Sequence, residues 1–141
     1  MFVFLIISCE KNRSLKSRIE QSWLKDLSVL KNPELTSEFQ YFFVYGHPEL
    51  EGEEDFKFFP EKQEIWVRCV DYYEDLPLKV YLGFKAIHST LLEKREKGEE
   101  LQGVFKVDDD VYVRLEMLKQ RLPELLNIDY GGYVNQVWQD Y

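Results

Sequence analysis

The run Phe2-Val-Phe-Leu-Ile-Ile7 is apolar at every position and rich in β-branched and aromatic side chains. That is the pattern of a strand buried on both faces, and such strands belong to parallel sheets covered by helices. The rest of the chain supplies the covering layers. Ser14 opens a segment in which Leu15, Ile19, Trp23, Leu24, Leu27 and Leu30 recur at helical spacing, and Asn32-Pro33 closes it. A second strand is expected over Phe39 to Tyr45, ending at Gly46-His-Pro48, with the acidic stretch Glu49 to Asp55 as a solvated loop. Glu64 to Val70 alternates enough for a third strand. Leu76 begins a long helix with Gly98 as its stop. Gly103 to Val107 reads as a fourth strand, Val111 to Val113 resumes its apolar pattern, and Arg114 to Leu126 is a third helix with Pro123 near its end. Gly131-Gly132 introduces a last short extended piece. The order predicts an α/β fold with a mostly parallel central sheet flanked by helices, in one domain over residues 1–141.

Composition narrows the function classes. Hydrophobic residues are 45% and aromatics 16%, ample for a core, so disorder of the whole chain is excluded. The formal charge of −8, with no basic face, argues against a nucleic-acid partner. No run is long and apolar enough for a membrane segment, so a soluble, cytoplasmic setting is the default expectation. Cys9 and Cys69 each lie in an apolar run without metal-site spacing and are expected to be two buried thiols. His47 falls in a turn and His88 on a helix face, neither with a ligand partner at metal spacing. Trp23, Trp66 and Tyr72-Tyr73 read as core packing, although an aromatic at a pocket mouth can stack on a uracil or sugar ring.

The chemistry sits at the end of the fourth strand, where Asp108-Asp-Asp110 interrupts the apolar pattern. In α/β sheets, ligands bind beyond the carboxyl ends of the strands. Three adjacent carboxylates repel one another, and a divalent cation offsets that charge. In an extended segment Asp108 and Asp110 point the same way while Asp109 faces its neighbour. Two oxygen ligands completed by water and phosphate suit Mg²⁺ or Mn²⁺. A solvated acidic run is the plainer alternative. An EF-hand is rejected, because a loop beginning at Asp108 has Val113 where Gly is required and Lys119 where the last acidic ligand belongs.

Four segments together resemble the β-1,3-galactosyltransferase-like family of inverting glycosyltransferases, which have the GT-A (Rossmann-like) nucleotide-sugar fold. Lys106-Val-Asp-Asp-Asp-Val-Tyr-Val113 is similar to that family's Lys-x-Asp-Asp-Asp-x-Phe/Tyr-Val signature. Asp71-Tyr-Tyr-Glu-Asp-Leu-Pro-Leu-Lys79 is similar to its Asp-x-Tyr-x-Asn-Leu-Thr-x-Lys, with Asp75 and Pro77 replacing Asn and Thr. Arg18-Ile-Glu-Gln-Ser-Trp23 follows the first strand as the family's Ile-Arg-x-Thr-Trp does, with Glu20 in place of Arg. Tyr130-Gly-Gly-Tyr133 resembles the start of a further family strand.

The resemblance implies a metal-dependent transfer of a hexose, of galactose or N-acetylhexosamine type, from a UDP-sugar to a glycan or glycoprotein acceptor with inversion. It also implies roles. Asp110, with Asp108, would coordinate Mn²⁺ (or Mg²⁺), and Asp108 and Asp109 would hold the metal and nucleotide sugar between them. The Ser8-Cys9 strand end would border the base, and Arg13, Lys16 or Arg18 would supply the cationic contact to the nucleotide. Lys79 either pairs with the diphosphate or the acidic cluster, or faces solvent. Asp71 and Tyr73 either touch donor or cap and staple the helix. Family relatives are usually Golgi membrane-anchored and continue past the Asp triplet into an acceptor half that carries the catalytic base, so the chain resembles the donor half alone and the base is expected beyond Tyr141. The alternatives are a non-catalytic nucleotide-sugar-binding remnant or fragment and a phosphoacceptor receiver domain. A receiver needs an acidic pair after the first strand, where this chain has Ser8-Cys9.

Overall fold

The computed structural model describes residues 1–31, 38–95 and 100–132. Its strands are β1 (Phe2–Ile7), β2 (Phe39–Gly46), β3 (Phe56–Phe59), β4 (Glu64–Val67) and β5 (Gly103–Asp108). Its α-helices are α1 (Leu15–Gln21), α2 (Leu76–Arg95) and α3 (Leu115–Leu125), and short 3-10 segments cover Glu10–Asn12, Leu24–Leu30, Pro60–Lys62 and Tyr73–Asp75. The protein is α/β. One five-stranded sheet has the order β3-β4-β2-β1-β5, in which only the β3–β4 pairing is antiparallel.

The apolar run at the N-terminus takes the central place its composition demands. Phe2, Phe4 and Ile6 face one core with Ile19, Trp23, Leu24 and Leu30, joined by Leu115 and Leu122 of α3. Val3, Leu5 and Ile7 face a second core against Leu82, Ala86 and Ile87 of α2. All six β1 side chains are buried, and each contributes about 1.5–3 kcal/mol relative to exposure. Pairing in register on both sides, Ile7 with Val44 and with Asp108, then sets the carboxyl ends of the central strands level with one another.

Four expectations change. The first helix does not run unbroken from Ser14 to Leu30. It stops at Gln21, where the Ser22 hydroxyl donates to the Ile19 carbonyl at 2.9 Å and diverts the backbone, and Trp23 turns inward edge-on to Phe4. The chain continues as the 3-10 segment. The strand over Glu64 to Val70 ends at Val67: Arg68 N–H still meets the Asp55 carbonyl (2.7 Å) in the β3–β4 register, but Cys69 N–H folds back on the Val67 carbonyl (2.9 Å) and leaves the ladder. β3 is an additional strand, so the sheet is mixed. Val111 to Val113 does not continue β5. Asn32-Pro33, Gly98 and the piece beyond Gly132 lie outside the described residues. Among the described residues no helix is long and apolar enough to cross a membrane.

Candidate functional site

Taken in chain order, the parallel strands run 3-2-1-4 across the sheet. That is how the doubly wound dinucleotide-binding order begins, and its ligand crevice opens where the order reverses, here between β1 and β5. The acidic triplet lies on that crevice. Asp109 N–H extends the ladder to the Ile7 carbonyl (3.2 Å), and Val111 N–H closes a turn on the Asp108 carbonyl (3.3 Å). Alternation along a strand therefore stops at Asp108 and does not place Asp108 and Asp110 on one face. Asp108 pairs with Lys106 at 2.5 Å and Asp110 is exposed. Asp109 does face its neighbour. Its Oδ2 accepts from Ser8 Oγ (2.8 Å) and from Asn12 Nδ2 (3.0 Å), both in the segment that follows β1. Ser8 is buried, so it reaches the site only through Asp109.

Lys79 neither faces solvent nor reaches the triplet. It is buried, forms an ion pair with Asp71, and donates to the Ser8 carbonyl at 2.9 Å. Asp71 does not cap α2. Its two oxygens accept N–H bonds from Gly46 at the end of β2 (2.8 Å) and from Glu10 after β1 (2.7 Å). One carboxylate thus ties the segment after β4 to the ends of β2 and β1. The approach is close enough to require glycine at position 46, where a Cβ would collide with Asp71 Oδ1 and lie 2.9 Å from the Cys69 carbonyl oxygen. Tyr73 is 86% exposed and staples nothing.

A cleft of about 490 Å³ opens beside this clasp, walled by Glu10, Arg13, His47, Trp66, Asp71 and Tyr72. Arg13 is already engaged. Its Nε meets Glu10 (2.8 Å), its Nη1 meets Glu64 (3.1 Å), and the guanidinium lies 4.2 Å over the Tyr45 ring. Burial pushes Tyr45 up to about 12, against the pull of the Arg13 charge. Burial also pushes the Glu64 carboxyl up, but hydrogen bonds from Lys16, Trp66 and Arg13 outweigh it and hold Glu64 below its ordinary range. This network braces α1 against β4. His47 stacks on Trp66 with ring centres 5.0 Å apart, and its buried Nδ1 has no partner among the described residues. Tyr72, expected in the core, is 70% exposed at the cleft wall. The signal for these residues is the Gly46-His-Pro48 turn, which closes a strand at the carboxyl edge.

Strands lie about 4.8 Å apart, so two spacings, about 10 Å, separate the end of β2 at the cleft from the acidic turn at β5. Cys69 is buried and Cys9 only half-buried, correcting the expectation of two buried thiols. His88 is exposed. Among the described residues no three His, Cys, Asp or Glu side chains gather closely enough to hold an ion by themselves. The oxygen donors of Asp108 and Asp110 nevertheless suit a hard cation that takes one or two protein carboxylates and completes its shell from phosphate and water. No protein-family model matches the chain, and no curated protein or solved structure matches it.

Proposed function

We propose that the carboxyl edge of this sheet binds a UDP-sugar with Mn²⁺ or Mg²⁺, as the donor site of a GT-A hexosyltransferase that transfers with inversion to a glycan or glycoprotein acceptor. The observation that carries this reading is the acidic turn at the reversal point of the strand order, with Asp109 fastened to the segment after β1. Asp108 and Asp110 would hold the cation. When bound, it supplies positive charge to a departing diphosphate. The cleft takes the nucleoside, its near edge at Gly46 lying about 10 Å from the turn across two strand spacings and Trp66 and Tyr72 forming its far wall. Arg13, at the cleft wall, contacts the nucleotide with whatever donor capacity Glu10 and Glu64 leave it.

The receiver-domain reading loses support from the topology. In the flavodoxin-like order the third parallel strand lies on the far side of β1 from the second, whereas here β4 lies beside β2. Isothermal titration of UDP with and without Mn²⁺ tests the proposal. The expected result is metal-dependent affinity that Asp110→Ala abolishes, and UDP binding indifferent to metal would overturn it. Release of sugar from UDP-sugars then separates a transferase from a binding remnant.

A further inference from the structure

We infer that Ser8 and Asn12 are positioning residues for Asp109, and that the buried Lys79–Asp71 pair is the clasp that sets both of them. The inference rests on the donor-site reading for its consequence but on its own geometry for its existence.

Ser8 Oγ and Asn12 Nδ2 converge on the same oxygen of Asp109, at 2.8 and 3.0 Å. Two donors on Oδ2 fix the carboxylate plane and leave Oδ1 without a donor among the described residues. Neither Ser8 nor Lys79 has the exposure to touch a ligand itself, at 5% and 4%. They act through Asp109.

The clasp governs both donors by separate routes. Ser8 is held through its backbone on both sides: its N–H donates to the Val44 carbonyl (3.0 Å) and its carbonyl accepts from Lys79 Nζ (2.9 Å). Asn12 ends the 3-10 turn Glu10–Asn12, with its N–H on the Cys9 carbonyl (2.9 Å). The first residue of that turn, Glu10, gives its N–H to Asp71 Oδ2 (2.7 Å). Lys79 thus sets the serine and Asp71 sets the turn that carries the asparagine. A buried ion pair is weak evidence for stability, and fixing a single arrangement is one of the uses proposed for such pairs.

The test compares Ser8→Ala, Asn12→Ala and the double variant with wild type in the full chain, by two readouts. The first needs no ligand: amide exchange at Asp109 and Val111 is expected to quicken about tenfold in the double variant, as loss of hydrogen bonds to a charged acceptor loosens the turn. The second is UDP affinity in the presence of Mn²⁺, expected to fall about tenfold while uridine alone binds as before. Asn12→Gln, which keeps the donor, is expected to recover part of both effects. Lys79→Met, or Lys79→Gln should the first not fold, is expected to quicken exchange at the same two amides. Unchanged exchange in the Ser8/Asn12 double variant overturns the positioning role, and unchanged exchange in the Lys79 variant overturns the clasp. If wild-type UDP binding proves independent of metal, the donor-site reading fails, while the exchange data still decide the inference.

Discussion

The Lys79–Asp71 pair is asymmetric, and its two halves should not cost the same to remove. Lys79→Met keeps the length of the side chain and deletes the ammonium. Asp71 then still accepts from Gly46 and Glu10 N–H at 2.8 and 2.7 Å, and with 19% side-chain exposure it keeps some water. What is lost is one charge-assisted bond to Asp71 and one to the Ser8 carbonyl, each worth about 1.5–3 kcal/mol. Asp71→Ala is different. It leaves an ammonium at 5% side-chain exposure with the Ser8 carbonyl as its remaining acceptor, and it strips the acceptor from two backbone N–H groups. Breaking the buried pair costs about 3–5 kcal/mol, and the stranded, part-buried Gly46 N–H adds about 1–3 kcal/mol. The aspartate variant should therefore be the less stable by roughly 2 kcal/mol, the middle of that added cost. The double variant should cost less than the sum of the singles, since it removes the orphaned cation. Equilibrium urea unfolding followed by tryptophan fluorescence measures all three, with equal slopes as the check on two-state behaviour. A Lys79→Met protein as unstable as Asp71→Ala, or more so, would refute the assignment of Asp71 as the hub.

Further outcomes are open to simple assays. Gly46→Ala should destabilise by about 1–3 kcal/mol through overpacking against Asp71 and the Cys69 carbonyl, read by the same urea titration; a loss under about 0.5 kcal/mol would show that the segment can yield. Glu64 titrates below its ordinary value in the fold, so its contribution is present above the unfolded pKa, about 4.3, and is lost as pH falls through the folded value. The stability gap between wild type and Glu64→Gln should hold near neutral pH and narrow toward pH ~3, and a gap that does not change across that window contradicts the network at Arg13 and Lys16. Burial pushes the Cys69 thiol up to about 11 against the Lys79 charge, so iodoacetamide at neutral pH should modify the half-buried Cys9 first. Mass spectrometry reads the order, and early labelling of Cys69 would count against its burial.

The strands that carry their own signal were legible in the sequence. β1, β2 and β5 are apolar runs ended by Ser8, Gly46 and the Asp triplet, and α2 begins at Leu76 as its periodicity predicts. β3 carries no such signal. Phe56-Lys-Phe-Phe59 sits between an acidic stretch and Pro60, and its extended state comes from pairing with β4. The break after α1 was hidden for a similar reason: Trp23 fits helical spacing, yet its place against Phe4 requires the turn at Ser22. At the site, the location of the Asp triplet followed from strand patterning, but the work of Asp71 and Lys79 did not. Their spacing places them at the start of one helix, while their partners Ser8, Glu10 and Gly46 come from segments that only the sheet register brings together. The stack of His47 on Trp66 likewise joins two strand ends that are distant in sequence.

The sharing of one carboxylate among three strand ends limits how this rim can change. A segment transplanted alone, whether residues 8–13, 46–48 or 68–71, would arrive without the atoms that hold its neighbours in place. Redesign of ligand preference here is better attempted at side chains that hang free of the knot, such as Tyr72, than by swapping whole loops.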